Sequence, residues 1–213
     1  MASPTIVNSA STQGGIGSSQ ALTMPASIVA GRALLAFVGT SGSGAGASTV
    51  ISGWTKFGYC EGPTPFPVLA AFGKIAAGSD SGTITGGTTT YRTSTVYQIT
   101  GWSGSLADIA VAVMSTAALD PPALSGLTAG DYLFLAAARH SATLSAAPSG
   151  YAGLINASTT GVFLGTANKA ATGATGDDPG VFGGTSAAAS IALTLAVAPV
   201  MAAQPPMQFA ACF

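Results

Sequence analysis

Tyr91-Arg92-Thr93-Ser94-Thr95-Val96-Tyr97-Gln98-Ile99-Thr100 decides the fold class. β-branched and aromatic residues dominate these ten positions, so the run predicts a β-strand. Gly101-Trp102-Ser103-Gly104-Ser105 follows it with turn residues. The same grammar recurs on both sides. Strands are predicted at Arg32–Thr40, Thr55–Cys60, Pro67–Ile75, Asp108–Ser115, Tyr132–Arg139, Thr160–Ala167 and Ser190–Val197. In Asp108–Ser115, Ile109, Val111 and Val113 share one face, and Ala110, Ala112 and Met114 share the other. Gly-, Ser-, Thr- and Pro-rich stretches such as Gly39–Ser48 and Gly173–Gly184 separate the runs. No long segment carries a capped 3.6-residue period. The expectation is an all-β, antiparallel, jelly-roll-like β-sandwich.

The composition narrows the function. Only 13 of 213 residues are charged, six Lys or Arg and seven Asp or Glu. Ala, Gly, Thr and Ser fill 119 positions. A net charge of −1 leaves no basic footprint for nucleic acid. A hydrophobic share of 48% argues against a charged disordered chain. A folded chain of this mass exposes roughly 8,900 Å², or about one charge per 700 Å². Soluble surfaces usually carry more charge, which opposes association. Such a surface points to a component of an assembly.

Cys60 and Cys212 are too far apart in sequence to read as a disulfide framework. The N-terminal Met-Ala-Ser-Pro-Thr-Ile-Val-Asn lacks the basic and apolar regions of a signal peptide. Ala187–Ala198 is apolar apart from Ser190 and Thr194, but it is short and Pro199, Pro205 and Pro206 follow. It reads as a buried strand with no membrane partner.

The chain also echoes itself. Ala30-Gly31-Arg32-Ala33-Leu34-Leu35-Ala36-Phe37 is similar to Ala129-Gly130-Asp131-Tyr132-Leu133-Phe134-Leu135-Ala136. Ser52-Gly53-Trp54 matches Ser149-Gly150-Tyr151, and Lys74–Gly78 matches Lys169–Gly173. Thr93–Thr100 then corresponds to the run near Ala189–Ala196. Four matches in one order at nearly constant offset predict two pseudo-repeated halves of about 95 residues. The expected organisation is one sandwich domain over residues 1–198, with half-units near 20–105 and 120–198, and an extended tail at 199–213. Each Ala-Gly-x-x-Leu element reads as a tight turn entering a core strand. Each Ser-Gly-aromatic element reads as a turn carrying an aromatic cap, Trp54 or Tyr151, over the sandwich edge.

These elements carry a resemblance. Val29–Phe37, Ser52–Thr55, Lys74–Thr85 and Tyr91–Trp102, with Ala129–Asp131 and Pro148–Tyr151 in the second half, follow one order. That order resembles a β-sandwich module of tailed-bacteriophage virion proteins, in which Ala-Gly-Asp, Pro-Ser-Gly-Trp and Gly-Asp-Ser-Gly-Thr turns alternate with core strands. The sequence departs from the pattern at Gly73-Lys74, where an aromatic and Arg would stand, and at Ala30-Gly31-Arg32. The resemblance implies a virion location. It also implies a structural role in a capsid decoration, head fibre or tail protein.

Catalytic signals are weak. Gly183-Gly184-Thr185-Ser186-Ala187 resembles the nucleophile turn of subtilisin-like proteases, but His140 is the only histidine and the pattern is not α/β. Gly101-Trp102-Ser103-Gly104-Ser105 misses the Gly-x-Ser-x-Gly elbow by its last residue and no helix follows. His140, beside Arg139, reads as a surface or turn residue rather than a ligand. Asp177-Asp178 reads as a turn before Pro179, with loop coordination of calcium as the competing reading. Gly39–Gly46 lacks the Lys-Ser/Thr of a phosphate loop. No catalytic residue, cofactor or metal is expected.

Two functions remain. The first is a non-enzymatic, head-associated decoration or cement protein that binds the capsid shell and its own copies. Apolar Met201, Met207, Phe209 and Phe213 of the tail are its candidate partner contacts. The alternative is a receptor- or glycan-binding module of a tail or fibre, with Tyr59, Trp102 and Tyr151 as stacking residues.

Overall fold

The computed structural model describes residues 3–14, 17–42, 45–62, 67–113, 119–184 and 190–200. Among them the strands are β1 Thr5–Gln13, β2 Gly17–Ala21, β3 Ala33–Ser41, β4 Val50–Ile51, β5 Thr55–Glu61, β6 Pro67–Ile75, β7 Thr83–Thr90, β8 Arg92–Thr100, β9 Ile109–Val113, β10 Gly130–His140, β11 Ala152–Thr159, β12 Val162–Ala174 and β13 Ile191–Val197. A single helical turn, Ala45–Ser48, and a 3₁₀ turn, Leu106–Asp108, complete the elements. Every strand pairing is antiparallel.

The protein is an all-β sandwich. One sheet has the order β1-β8-β3-β6-β5 and the other β9-β13-β10-β12-β11. A jelly roll passes its chain between two sheets. Here residues 5–100 complete the first sheet before residues 109–197 build the second, which corrects the jelly-roll expectation. Taken from β1 and from β9, the two orders correspond strand for strand. The residue-level echo does not survive unchanged. An offset of 99 equates Leu35 with Phe134, yet Leu35 faces the core between the sheets and Phe134 faces outward. Odd-numbered residues face the inter-sheet core in both β3 and β10, so an offset of 99 exchanges inside for outside.

Three apolar clusters explain why the core strands lack alternation. The first lies between the sheets and joins Leu35, Phe37, Tyr97 and Ile99 to Leu133, Leu135, Leu164 and Leu193. Phe37 meets Tyr97 edge to face at 6.2 Å. The Tyr97 hydroxyl and Thr166 Oγ1 hydrogen-bond at 2.6 Å, tying β8 of one sheet to β12 of the other. The second cluster covers the outer face of the second sheet, where Leu119, Leu144, Tyr151 and Phe182 close over Phe134, Ala136 and Ala138. The third covers the outer face of the first, where Leu22, Ile51 and Ile84 meet Ala36, Val38, Phe72 and Val96. Its cover includes the small sheet β2-β7-β4. Strands β3, β10 and β13 are therefore apolar on both faces, as continuous buried runs require.

The Ser-Gly-aromatic turns match closely. Trp54 N–H donates to Ile51 O at 3.1 Å, and Tyr151 N–H to Pro148 O at 3.0 Å. Gly53 and Gly150 take φ of +77° and +78°, as the third position of a type II turn demands. The aromatic residues cap the two outer clusters rather than the sandwich edge.

Leu135 is fully buried at the centre of the inter-sheet core. Leu135→Ala is expected to lower unfolding free energy by about 2–5 kcal/mol in a urea titration. A loss below about 1 kcal/mol would place Leu135 outside the core that joins the sheets.

Candidate functional site

Six of the 13 charged side chains are buried or held in ion pairs. Lys74 pairs with Asp80 at 2.7 Å, and Lys169 with Asp177 at 2.5 Å. Lys74, next to the end of β6, and Lys169, within β12, each reach an Asp in the loop that follows the strand. Arg92 is fully buried at the start of β8. Its guanidinium donates to the carbonyls of Gly17, Ser18 and Gly86, stitching β2 and β7 onto the main sheet. Burial holds it below the ordinary arginine range. Arg139 is buried near the end of β10, donates to Gly161 O, and is pushed by burial down to about 10. Lys56 donates to Ala47 O at 2.9 Å and lies over the rings of Tyr59 and Phe72.

Asp177 is the hub of the largest polar group. Its Oδ1 takes Lys169, and its Oδ2 accepts from the Tyr151 hydroxyl at 2.6 Å. Burial, that hydrogen bond and the charges of Asp177 and Asp178 all raise the Tyr151 hydroxyl far above its usual value. The Asp177 backbone exchanges two hydrogen bonds of 2.8 Å with Leu124, clasping one covering loop to another. Beside this clasp lies an open depression of 520 Å³ bordered by Leu124, Gly126, Gly176 and Asp178. The Asp177 carboxylate is already engaged through both oxygens, so the pair works as a structural clasp. Among the described residues no three His, Cys, Asp or Glu side chains group as metal ligands.

The sequence-predicted residues scatter. Trp102 is only 5% exposed and its indole N–H donates to Gly31 O at 3.1 Å. Tyr151 is 8% exposed. Neither ring has a face open to a sugar, because each caps an apolar cluster. Tyr59, 40% exposed on edge strand β5, is the one stacking candidate of the three at the surface. Met201, Met207, Phe209 and Phe213 lie outside the described residues, as do Cys212, Thr185 and Ser186. Cys60 is buried, its Sγ facing Leu69 O and Ala192 O.

His140 is not the surface residue expected. It ends β10 fully buried, with Nδ1 at 2.9 Å from Ser190 Oγ. The cause is the same two-sided burial. Even-numbered residues of β10 face the outer cluster, which closes over His140 as it does over Ala138. Both partners are sealed from solvent, so the pair fastens β10 to the start of β13. Sequence reasoning missed Arg92, Arg139 and this pair, which lie at strand ends where the chain gives no burial signal. Among the described residues no helix is long and apolar enough to cross a membrane.

Comparison with family profiles, with curated proteins and with solved structures returns no match.

The Lys74–Asp80 pair makes a pH prediction. Burial alone would raise the Asp80 carboxyl. The Lys74 ammonium and the N–H groups of Ala77 and Gly78, at 2.7 and 3.1 Å, more than offset this and hold it below the ordinary range. A depressed carboxylate stabilises the fold above the unfolded pKa, near 3.9, and loses that contribution as pH falls through the folded value. Asp80→Asn is therefore expected to be less stable than wild type at pH 6, with the gap closing below about pH 4. A gap that stays constant down to pH 2 in thermal melts would show that the pair has no pH-linked role.

Proposed function

We propose that this chain is a non-enzymatic virion structural protein, a head-associated decoration or cement protein that binds the capsid shell and its own copies. The observation that carries the reading is the fate of its few charges. Of six cationic side chains, Arg92 and Arg139 are buried, Lys74 and Lys169 sit in ion pairs, and Lys56 is turned onto Ala47 O and two rings. The outer surface is left with few charges, and the exposed Asp108 and Asp178 make its balance slightly acidic. Ala, Gly, Ser and Thr then meet a neighbour at close range with little charge to desolvate. Assembly by such a surface needs no reaction. It needs shape, backbone edges and many copies, whose individually weak contacts add through symmetry.

The turn-and-strand resemblance to phage virion modules supports a virion location. The exposed Tyr59 alone leaves little support for a glycan-stacking surface.

Mass spectrometry of density-purified phage particles from the organism that encodes the chain tests the reading. The protein is expected in many copies per particle and in the fraction of tailless heads. Its absence from particles, or its presence only in isolated tails, would overturn the head assignment.

A further inference from the structure

The four edge strands of the sandwich are β1 and β5 in the first sheet, β9 and β11 in the second. Natural proteins protect such edges with Lys, Pro or bulges, because an unpaired row of N–H and C=O groups recruits another strand. Strand β5 carries Lys56 and Glu61, with a register shift between Lys56 and Gly58. Strand β11 has its shift at the start, between Ala152 and Ile155, and keeps only five residues in register after it. Strand β9 has five described residues, Ile109–Val113. Strand β1 differs. It has nine residues, Thr-Ile-Val-Asn-Ser-Ala-Ser-Thr-Gln, with no charge and no proline. Its one shift lies at the start, between Ile6 and Asn8, and residues 8–13 then run in unbroken register with β8.

The hydrogen bonds show which backbone groups face outward. Ser9 N–H donates to the side chain of Asn8, at 2.9 Å, and Gly14 N–H turns inward to Arg92 O at 3.0 Å. Alternation then puts the N–H and C=O groups of Ser9, Ser11 and Gln13 on the free side. Apart from the Asn8 side chain on Ser9 N–H, no group among the described residues is seen to pair with that side.

We infer that β1 is the self-association edge, pairing antiparallel with β1 of a second copy about a two-fold axis. The inference rests on the assembly reading above and names the surface that performs it. A second copy is the occupant because the strand complements itself. In a two-fold antiparallel pair residue i of one copy faces residue j of the other and j faces i, and only at the axis does a position meet its equivalent, so a charge at the centre of the strand would meet its like. Strand β1 has none, and neither has β11, the edge strand of the second sheet that lies beside it. The pair would join two five-stranded sheets into one of ten. Nine residues give an edge about 30 Å long, and the neighbouring sheet edge lies about 10 Å away. With flanking side chains this is about 600 Å² per copy, somewhat below a standard interface, as suits a contact repeated by symmetry.

The test is sedimentation velocity on the full chain, on Ser11→Lys and on a control, Thr83→Lys. Ser11 is exposed, and Lys there places a charge on the edge without touching the β8 ladder. Thr83 is exposed on the small sheet, opposite Ala21 and outside the β1–β8 pairing. Wild type and Thr83→Lys are expected to associate, and Ser11→Lys to raise the dissociation constant at least tenfold with an unchanged melting temperature. Association of all three alike would overturn the β1 assignment while leaving the assembly reading intact. A wild-type monomer at every concentration would overturn both. A wild-type monomer that associates once residues 201–213 are removed would assign the edge to the chain's own tail, and would overturn the pairing inferred here.

Discussion

Burial of the central strands on both faces is the constraint on which the rest of the structure depends. Leu35 and Phe37 face the core between the sheets, while Ala36 and Val38 of the same strand face the outer cluster. Strand β10 repeats this with Leu133 and Leu135 inside and Phe134 and Ala136 outside. A two-sheet sandwich ordinarily wets its outer faces. Here both outer faces need covers, and the chain spends its remaining length on them. The small sheet covers one side, and the loops carrying Leu119, Leu144 and Phe182 cover the other. Alanine on the outer faces lets these covers approach closely.

The covers explain where the charges went. A loop folded over an apolar face has to be fastened, and charged or polar groups at strand ends do the fastening. Arg92 fixes the small sheet through three carbonyls. Lys169, Tyr151 and Asp177 clasp the second cover, and Lys74 with Asp80 does the same in the first half. His140 and Ser190 secure the base of the last strand. These groups resemble catalytic constellations in composition, but geometry gives them structural work. Each is enclosed or already satisfied by a neighbour.

Much of the fold was legible because apolar runs mark the buried strands directly. Pro67–Ile75 matches its predicted bounds, and β3, β5, β8 and β13 fall within a residue or so of theirs. The strands that escaped notice, β1, β2, β4, β7 and β11, are edges or covers that are either very short or rich in Ser, Thr, Gly, Asn and Gln. Their sequences look like loops because a strand paired on one side and wet on a face needs no apolar pattern. Strand β12 continues to Ala174, beyond the apolar stretch that announced it, through residues that become half-exposed. The candidate site was less legible. Trp102 and Tyr151 sit beside turn glycines, which suggested exposure, yet each folds back to cap a cluster. Burial of a side chain next to a turn depends on the direction of the chain after it, and composition does not encode that direction.

On the assembly reading proposed above, a sandwich with covered faces and an unguarded edge would pack against its own kind and a shell. Its contacts would draw on backbone pairing and close approach of small side chains rather than on long-range attraction. Salt screens charge-driven association strongly and backbone pairing little. Sedimentation equilibrium of the full-length protein between 50 mM and 1 M NaCl tests this most directly. The account predicts a reversible oligomer whose dissociation constant changes less than about threefold across that range. An oligomer that dissociates as salt rises, or a chain that stays monomeric throughout, would contradict it.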